Sequence, residues 1–191
     1  MNITKVELED NTRIFILDKF FDSQLVRELN ALFNTVTTAP ENWPSPEIFK
    51  HYAGRQIYAG TSPILDKIRA AANSDPIRSQ LSELLGHNIK LLSLDLWVDS
   101  PGYTIHPHVD PAFFAHAVQI YITDNTTAEY RIGMPFGTTV YHPDHRVLFQ
   151  LPYRTNSGYF FENPQQTCHG LNGQVPEGMQ RNSVYLRFVP A

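Results

Sequence analysis

From Asn88 onward apolar and polar residues alternate with a period of two, and the alternation persists to the end of the chain. Side chains of an extended chain point to opposite faces in turn, so this pattern predicts strands. They fall at 89–98, 117–123, 137–141, 146–151, 157–162, 166–171 and 181–189, separated by turn residues. The first half reads differently. Arg13–Asp18 predicts a short strand, and Asp22-Ser23 predicts the cap of a helix from Gln24 to Phe33, with Leu25, Leu29, Leu32 and Phe33 at helical spacing. Pro40, Pro44, Pro46 and Gly54 predict a long loop over 37–60. Ser62-Pro63 opens a helix to about Ala72, and Ser74-Asp75-Pro76 opens another that ends at Gly86, each with proline in its first turn.

Helices followed by seven or more short strands predict an α+β fold, a jelly-roll barrel (double-stranded β-helix) whose outer face the N-terminal helices cover. The chain is expected to be a single domain over 1–191, with 1–87 as helical support and 88–191 as the jelly-roll core. The competing architecture is a β-sandwich whose polar strand faces meet water.

Composition changes this picture mainly by exclusion. Hydrophobic residues at 42% and charged residues at 18% describe a folded chain rather than a disordered one. A net charge of −4 with no Lys/Arg run gives no basis for a nucleic-acid partner. Cys168 is the one cysteine, so no intramolecular disulfide can form. The N-terminus lacks the apolar core of a signal peptide, and no 18-residue apolar run occurs, so a cytoplasmic protein without a membrane span is expected.

His108-Val109-Asp110 is the chemically suggestive motif. In an extended chain, residues two apart share a face, so an imidazole and a carboxylate converge while Val109 turns away. A histidine from a distant strand would complete the two-His-one-carboxylate face of non-haem Fe(II) oxygenases. A rival motif, His142-Pro143-Asp144, has His145 beside it. Choosing His169 as the third ligand separates the two. The 59 residues from Asp110 to His169 suffice for four or five strands, whereas the 25 from Asp144 suffice for about two. Pro143 also favours a turn, which makes His142 and His145 loop residues. His106 shares the parity of His108, which would let it support a metal ligand or meet the substrate, but it reads first as a polar group at the barrel mouth. Cys168, next to His169, should face the outer packing as a small hydrophobe.

Residues 172–178, Asn-Gly-Gln-Val-Pro-Glu-Gly, read as a hairpin loop centred on position 175. Arg181 would then lie opposite His169 on an adjacent antiparallel strand. There its fork could hold both oxygens of a carboxylate whose other end reaches the metal. Ser183 shares that face, as do Tyr185 and Arg187, while Val184, Leu186 and Phe188 occupy the other. Along 117–123, Gln119 and Tyr121 alternate with Val118, Ile120 and Ile122 in the same way. Arg187 is a rival to Arg181 but lies about 20 Å further on at roughly 3.3 Å per residue.

These residues resemble the 2-oxoglutarate/Fe(II)-dependent dioxygenases, and within them the prolyl-4-hydroxylase-like branch. The matching stretches are Pro101–Asp110, Val118–Asp124, Asn156–Gly170 and Arg181–Phe188, all within residues 95–189. The resemblance implies that His108, Asp110 and His169 ligate Fe(II) and that Arg181, with Ser183 nearby, binds the distal carboxylate of 2-oxoglutarate. It adds Tyr121 to that carboxylate site. Relatives often carry a further tyrosine upstream; Trp97 and Tyr103 are the nearest positions here, and Trp97 reads as core. The implied reaction uses O2 and 2-oxoglutarate to hydroxylate a peptide or small organic substrate, releasing succinate and CO2. Halogenases of this fold lack the carboxylate ligand, so Asp110 favours hydroxylation. A cupin-like metal protein or isomerase that does not use 2-oxoglutarate is the alternative, and a sensor with a vestigial metal site is a second. The stretches His51–Tyr58 and Pro111–Phe114 either border the substrate entrance or pack on the barrel.

Overall fold

The computed structural model describes residues 1–36, 54–58, 62–111, 116–123 and 136–191. In chain order it has β1 (Asn2–Glu7), β2 (Arg13–Asp18), α1 (Ser23–Val36), β3 (Arg55–Tyr58), α2 (Pro63–Ala72) and α3 (Asp75–Leu85). Then come β4 (Ile89–Asp99), β5 (His116–Tyr121), β6 (Thr139–Tyr141), β7 (Val147–Gln150), β8 (Ser157–Phe161), β9 (Cys168–Gly170) and β10 (Arg181–Pro190). Two antiparallel sheets face each other. The major sheet runs β1-β2-β8-β5-β10-β4-β3 and the minor sheet runs β7-β6-β9. This is the expected α+β jelly roll with helices outside.

Local signals set the helices. Asp22 Oδ1 accepts from the backbone N–H of Gln24 and of Leu25, both at 2.9 Å, which satisfies two donors at the start of α1. Gly86 ends α3 in the left-handed conformation at φ 72°. The even-numbered positions of β10, Val184, Leu186 and Phe188, pack with Leu96 and Val118 against Leu29, Phe33, Ile68 and Leu81 of the helices. Burying each such side chain is worth about 1.5–3 kcal/mol, and this layer holds the helices to the sheet. The odd-numbered positions of β10 turn toward the minor sheet, as the alternation predicts.

Three features depart from the sequence reading. β1 extends the edge of the major sheet, and its mostly exposed, charge-bearing pattern carries little strand signal. β3 lies inside the stretch expected to be loop, paired to β4 with Arg55 opposite Asp99; residues 37–53 lie outside the described residues. The first half therefore contributes three strands as well as helices. The third departure is the hairpin. β9 and β10 belong to different sheets, so Arg181 is not the cross-strand partner of His169. The segment between them crosses over instead. Val175 is buried, its N–H donates to the Tyr103 carbonyl at 2.8 Å, and its carbonyl accepts from Gly102 at 2.7 Å.

Candidate metal and carboxylate site

His108 and His169 sit opposite each other in an antiparallel bridge and exchange both backbone hydrogen bonds, at 2.9 and 2.8 Å. Gly170 lets the chain come this close: a Cβ there would stand 2.7 Å from the Ile105 carbonyl oxygen. Asp110, two residues past His108, lies with its Oδ1 4.0 Å from His108 Nε2 and 3.8 Å from His169 Nε2. Val109 between them is exposed, as the alternation requires. One ligand atom from each residue lies within 4.8 Å of the others, close enough for one ion to bridge all three.

The tautomers suit that role. His108 Nδ1 is 2.8 Å from the His106 carbonyl and His169 Nδ1 is 3.0 Å from the Thr167 carbonyl. A carbonyl only accepts, so each Nδ1 carries a proton, and Nε2 is left in each ring as the nitrogen that faces Asp110 and can ligate. Burial lowers the His169 pKa despite the opposing pull of Asp110, which favours the neutral, ligating form. Two imidazole Nε2 atoms and a carboxylate on one face fit a first-row transition ion with further positions open.

The other candidates stand apart. His142 and His145 occupy the turn between β6 and β7, where His142 Nδ1 meets Asp144 Oδ1 at 2.9 Å. The His106 ring is exposed, and its contribution to the site is its carbonyl. Cys168 is half-buried and outside the metal cluster, and burial raises its thiol pKa.

Arg181 reaches the same cavity by another route. Its side chain is 2% exposed and lines a cavity that His108, Asp110 and His169 also line. Nε donates to the Phe136 carbonyl at 2.7 Å, Nη1 to Asp99 Oδ2 at 2.6 Å, and Nη2 to Thr138 Oγ1 at 3.0 Å and the Tyr121 hydroxyl at 3.4 Å. Gly137 brings the 136–138 segment to it: a Cβ at that position would overlap the Leu151 carbonyl oxygen at 1.7 Å. Burial alone would lower the Arg181 pKa, but Tyr121, Asp99 and Tyr159 hold it above its ordinary value. It stays cationic at any working pH.

A polar chain continues from there. Tyr121 donates to Thr138 Oγ1 at 2.9 Å, Thr138 Oγ1 lies 2.9 Å from the Tyr159 hydroxyl, and Tyr159 donates to Gln119 Oε1 at 2.7 Å. Gln119 Nε2 in turn donates to Ser183 Oγ at 2.8 Å. Ser183 is fully buried and is not among the residues lining the cavity, while Thr138, Gln119 and Tyr159 are. Tyr121 is likewise absent from the lining and is fully buried behind Arg181 and Thr138, hydrogen-bonded to both. Sequence reasoning missed Thr138 and Tyr159. Tyr159 alternates with Phe161 on one face of β8, a signal that was present; Thr138 lies just before β6 with no such signal.

Trp97, Tyr185 and Arg187 also line the cavity. Trp97 stacks on Tyr185 at 3.9 Å, and the Arg55 guanidinium sits 4.0 Å over the Trp97 ring and 4.4 Å from the Tyr103 ring. Arg187 pairs with Asp95 at 2.9 Å and donates to Ser93 Oγ at 2.8 Å, so it is spoken for at the far end of the face. Residues 112–115, which include Phe113 and Phe114, lie outside the described residues.

No family model matches the sequence, and no curated protein does. Solved structures do. A prolyl-4-hydroxylase from Pseudomonas putida superposes with a TM-score of 0.65 at 17% identity, over 93% of this chain and 92% of that one. The chain has the fold of the 2-oxoglutarate/Fe(II) oxygenases. It also carries their His-x-Asp…His triad. The non-haem α-ketoglutarate-dependent epimerase SnoN of nogalamycin biosynthesis matches with a TM-score of 0.67 at 15% identity, over 93% of this chain and 76% of that one. HygX from Streptomyces hygroscopicus, solved with nickel, 2-oxoglutarate and hygromycin B bound, matches at 0.62 and 12% identity, over 95% of this chain and 84% of that one.

Proposed function

We propose that this 2-oxoglutarate/Fe(II)-oxygenase-fold protein is an enzyme that binds Fe(II) and 2-oxoglutarate and hydroxylates a peptide or small organic substrate, releasing succinate and CO2. One observation carries the reading: a single cavity is lined both by a metal-ligand triad and by a buried guanidinium held by Asp99, Phe136 and Thr138. A dianion with a chelating keto acid at one end and a plain carboxylate at the other matches those two demands in one molecule. Neither demand alone would select it.

His108, Asp110 and His169 would hold the metal on one face, and Arg181, beside Thr138 on the cavity wall, would receive the distal carboxylate, with Tyr121 hydrogen-bonded to both from behind. Bound together with O2, the metal and 2-oxoglutarate supply the oxidising chemistry. The protein's share is to fix the reacting groups and keep water away. Phe161, whose ring lies 4.9 Å from the His169 ring, and Leu171 give the metal end apolar walls. Asp110 occupies the ligand position that halogenases of this fold leave free, which supports hydroxylation. SnoN is an epimerase, so inversion of a stereocentre is the second outcome this cavity admits.

Anaerobic addition of Fe(II) and then 2-oxoglutarate to the metal-free protein tests the reading. A visible charge-transfer band is expected, followed on oxygenation by succinate in proportion to substrate consumed. Absence of both the band and any 2-oxoglutarate binding by the wild type would sink it and favour a cupin-like protein that needs no 2-oxoglutarate. A mass gain of one oxygen in the product supports hydroxylation; an unchanged mass with inverted stereochemistry supports epimerisation.

A further inference from the structure

Asp99 is fully buried and shared by two arginines. Its Oδ1 accepts from Arg55 Nε at 2.6 Å, and its Oδ2 accepts from Arg55 Nη2 at 2.9 Å and from Arg181 Nη1 at 2.6 Å. Two guanidiniums and one carboxylate leave one positive charge on the cluster. That excess is what an incoming carboxylate would meet. The Arg55 side chain is only 6% exposed, forked onto Asp99 and held between the Trp97 and Tyr103 rings. The main-chain register keeps the three in line, because Asp99 of β4 is the cross-strand partner both of Arg55 on β3 and of Arg181 on β10.

We infer that Arg55 is a positioning residue: by sharing the charge of Asp99 with Arg181 it leaves a net positive charge at Arg181 to attract an anionic cosubstrate. This rests on the proposed use of 2-oxoglutarate. Without Arg55, Asp99 and Arg181 would form a closed, neutral pair. The Asp99 carboxylate would then compete with the ligand's carboxylate for the same guanidinium, at a distance where low dielectric makes the competition strong. Asp99 itself fixes the angle of the Arg181 fork, with Phe136 and Thr138 holding its other edges. Arg55 thus acts on the carboxylate through two other residues and need not touch it.

Charge and packing make opposite predictions for a double substitution, which gives the test. Binding of 2-oxoglutarate to the Mn(II)-loaded protein would be measured anaerobically by calorimetry for wild type, Arg55→Met, Arg55→Lys, Asp99→Asn and Arg55→Met/Asp99→Asn. Arg55→Met is expected to weaken binding by about tenfold or more, the scale of one lost charge interaction. Arg55→Lys restores much of it. The double variant, whose cluster again carries one net positive charge, binds more tightly than Arg55→Met alone. Wild-type-like binding by Arg55→Met, or a double variant weaker than the single, overturns the inference while leaving the proposed function standing. Should Arg55→Met fail to fold by circular dichroism, Arg55→Gln, which keeps a donor to Asp99 but not the charge, decides: weaker binding than wild type supports the inference, and wild-type-like binding overturns it. A wild type that binds no 2-oxoglutarate overturns the proposed function and this inference with it.

Discussion

At one end of the cavity a single carboxylate, Asp110, stands between two imidazoles; at the other, two guanidiniums, Arg55 and Arg181, share a single carboxylate, Asp99. The first cluster has a negative excess and suits a cation. The second has a positive excess and suits an anion. They also differ in how they are built. The metal end hangs on a bridge between the loop at His108 and the three-residue strand β9, with His108 partly exposed. The arginine end is cross-braced by two strand pairings of the major sheet, β3–β4 and β4–β10, and its side chains are buried. A bound metal can rigidify the first end. The second has to be rigid beforehand, because a guanidinium left loose would settle on Asp99 in whatever geometry is cheapest.

The largest effect should come from removing the charge of the metal end. Asp110→Ala takes away the only anionic ligand of the triad and is expected to lower metal affinity and turnover by more than about a hundredfold, beyond what loss of an outer partner costs. Metal content after dialysis and succinate formation would check it. The fold should survive, since Asp110 lies outside the apolar cluster that joins the helices to the major sheet. Retention of stoichiometric metal by Asp110→Ala would mean that the ligand set has been misassigned.

Next comes the anion end. Arg181→Leu removes the cation the ligand would meet and leaves Asp99 paired with Arg55 alone. The KM for 2-oxoglutarate is expected to rise by about a hundredfold, within the range for truncating one partner of a buried charge pair. Because the Phe136 carbonyl and Thr138 also lose a donor, the melting temperature should fall too, at about 1–3 kcal/mol per buried group left unsatisfied. Metal content should not change. That split, metal retained but cosubstrate lost, is the sharpest way to separate the two ends. A parallel loss of metal would show that they are not independent.

The metal end was more legible in the sequence than the arginine end, for a physical reason. His108 and Asp110 are joined by local geometry, since any extended chain puts them on one face. The barrel closure onto His169 needed only enough intervening chain. Arg181 was correctly placed on the inner face of β10, because parity along a strand is also local. Its neighbours were not, because they depend on register between strands distant in sequence. The hairpin through 172–178 failed on that point, and Val175 was its warning: a buried apolar residue in the middle of a supposed exposed turn marks a segment that packs rather than folds back. β3 escaped for a related reason. Four residues, Arg55–Tyr58, are too short to announce a strand, and they become one only because β4 offers an edge. So Arg55 and Asp99, far apart in the chain, could not be paired before the fold was known.

The smallest effect concerns pH, and it distinguishes the ends again. The arginine cluster should contribute nothing between pH 5 and 8, because the Arg55 and Arg181 pKa values are both raised from an already high level. The acid sensitivity of the fold should come from a half-buried histidine instead. His116, on the helix-facing side of β5, has a pKa lowered from 6.5 by burial first and then by the neighbouring His87, whose ring lies 5.4 Å away. The unfolded chain therefore binds a proton at His116 more readily than the folded one does. Stability from this site is fully present above the unfolded pKa of 6.5 and is lost as pH falls through it toward the lower folded value. Measured on metal-loaded protein, so that His108 and His169 are held by the ion, the melting temperature should drop from pH 7.5 to 5.5 on the acid side of about 6.5. His116→Leu should flatten that slope without touching 2-oxoglutarate affinity. If the slope persists in His116→Leu and disappears in Arg55→Lys, the proton would have to be acting on the arginine cluster, and the division of labour between the two ends would fail.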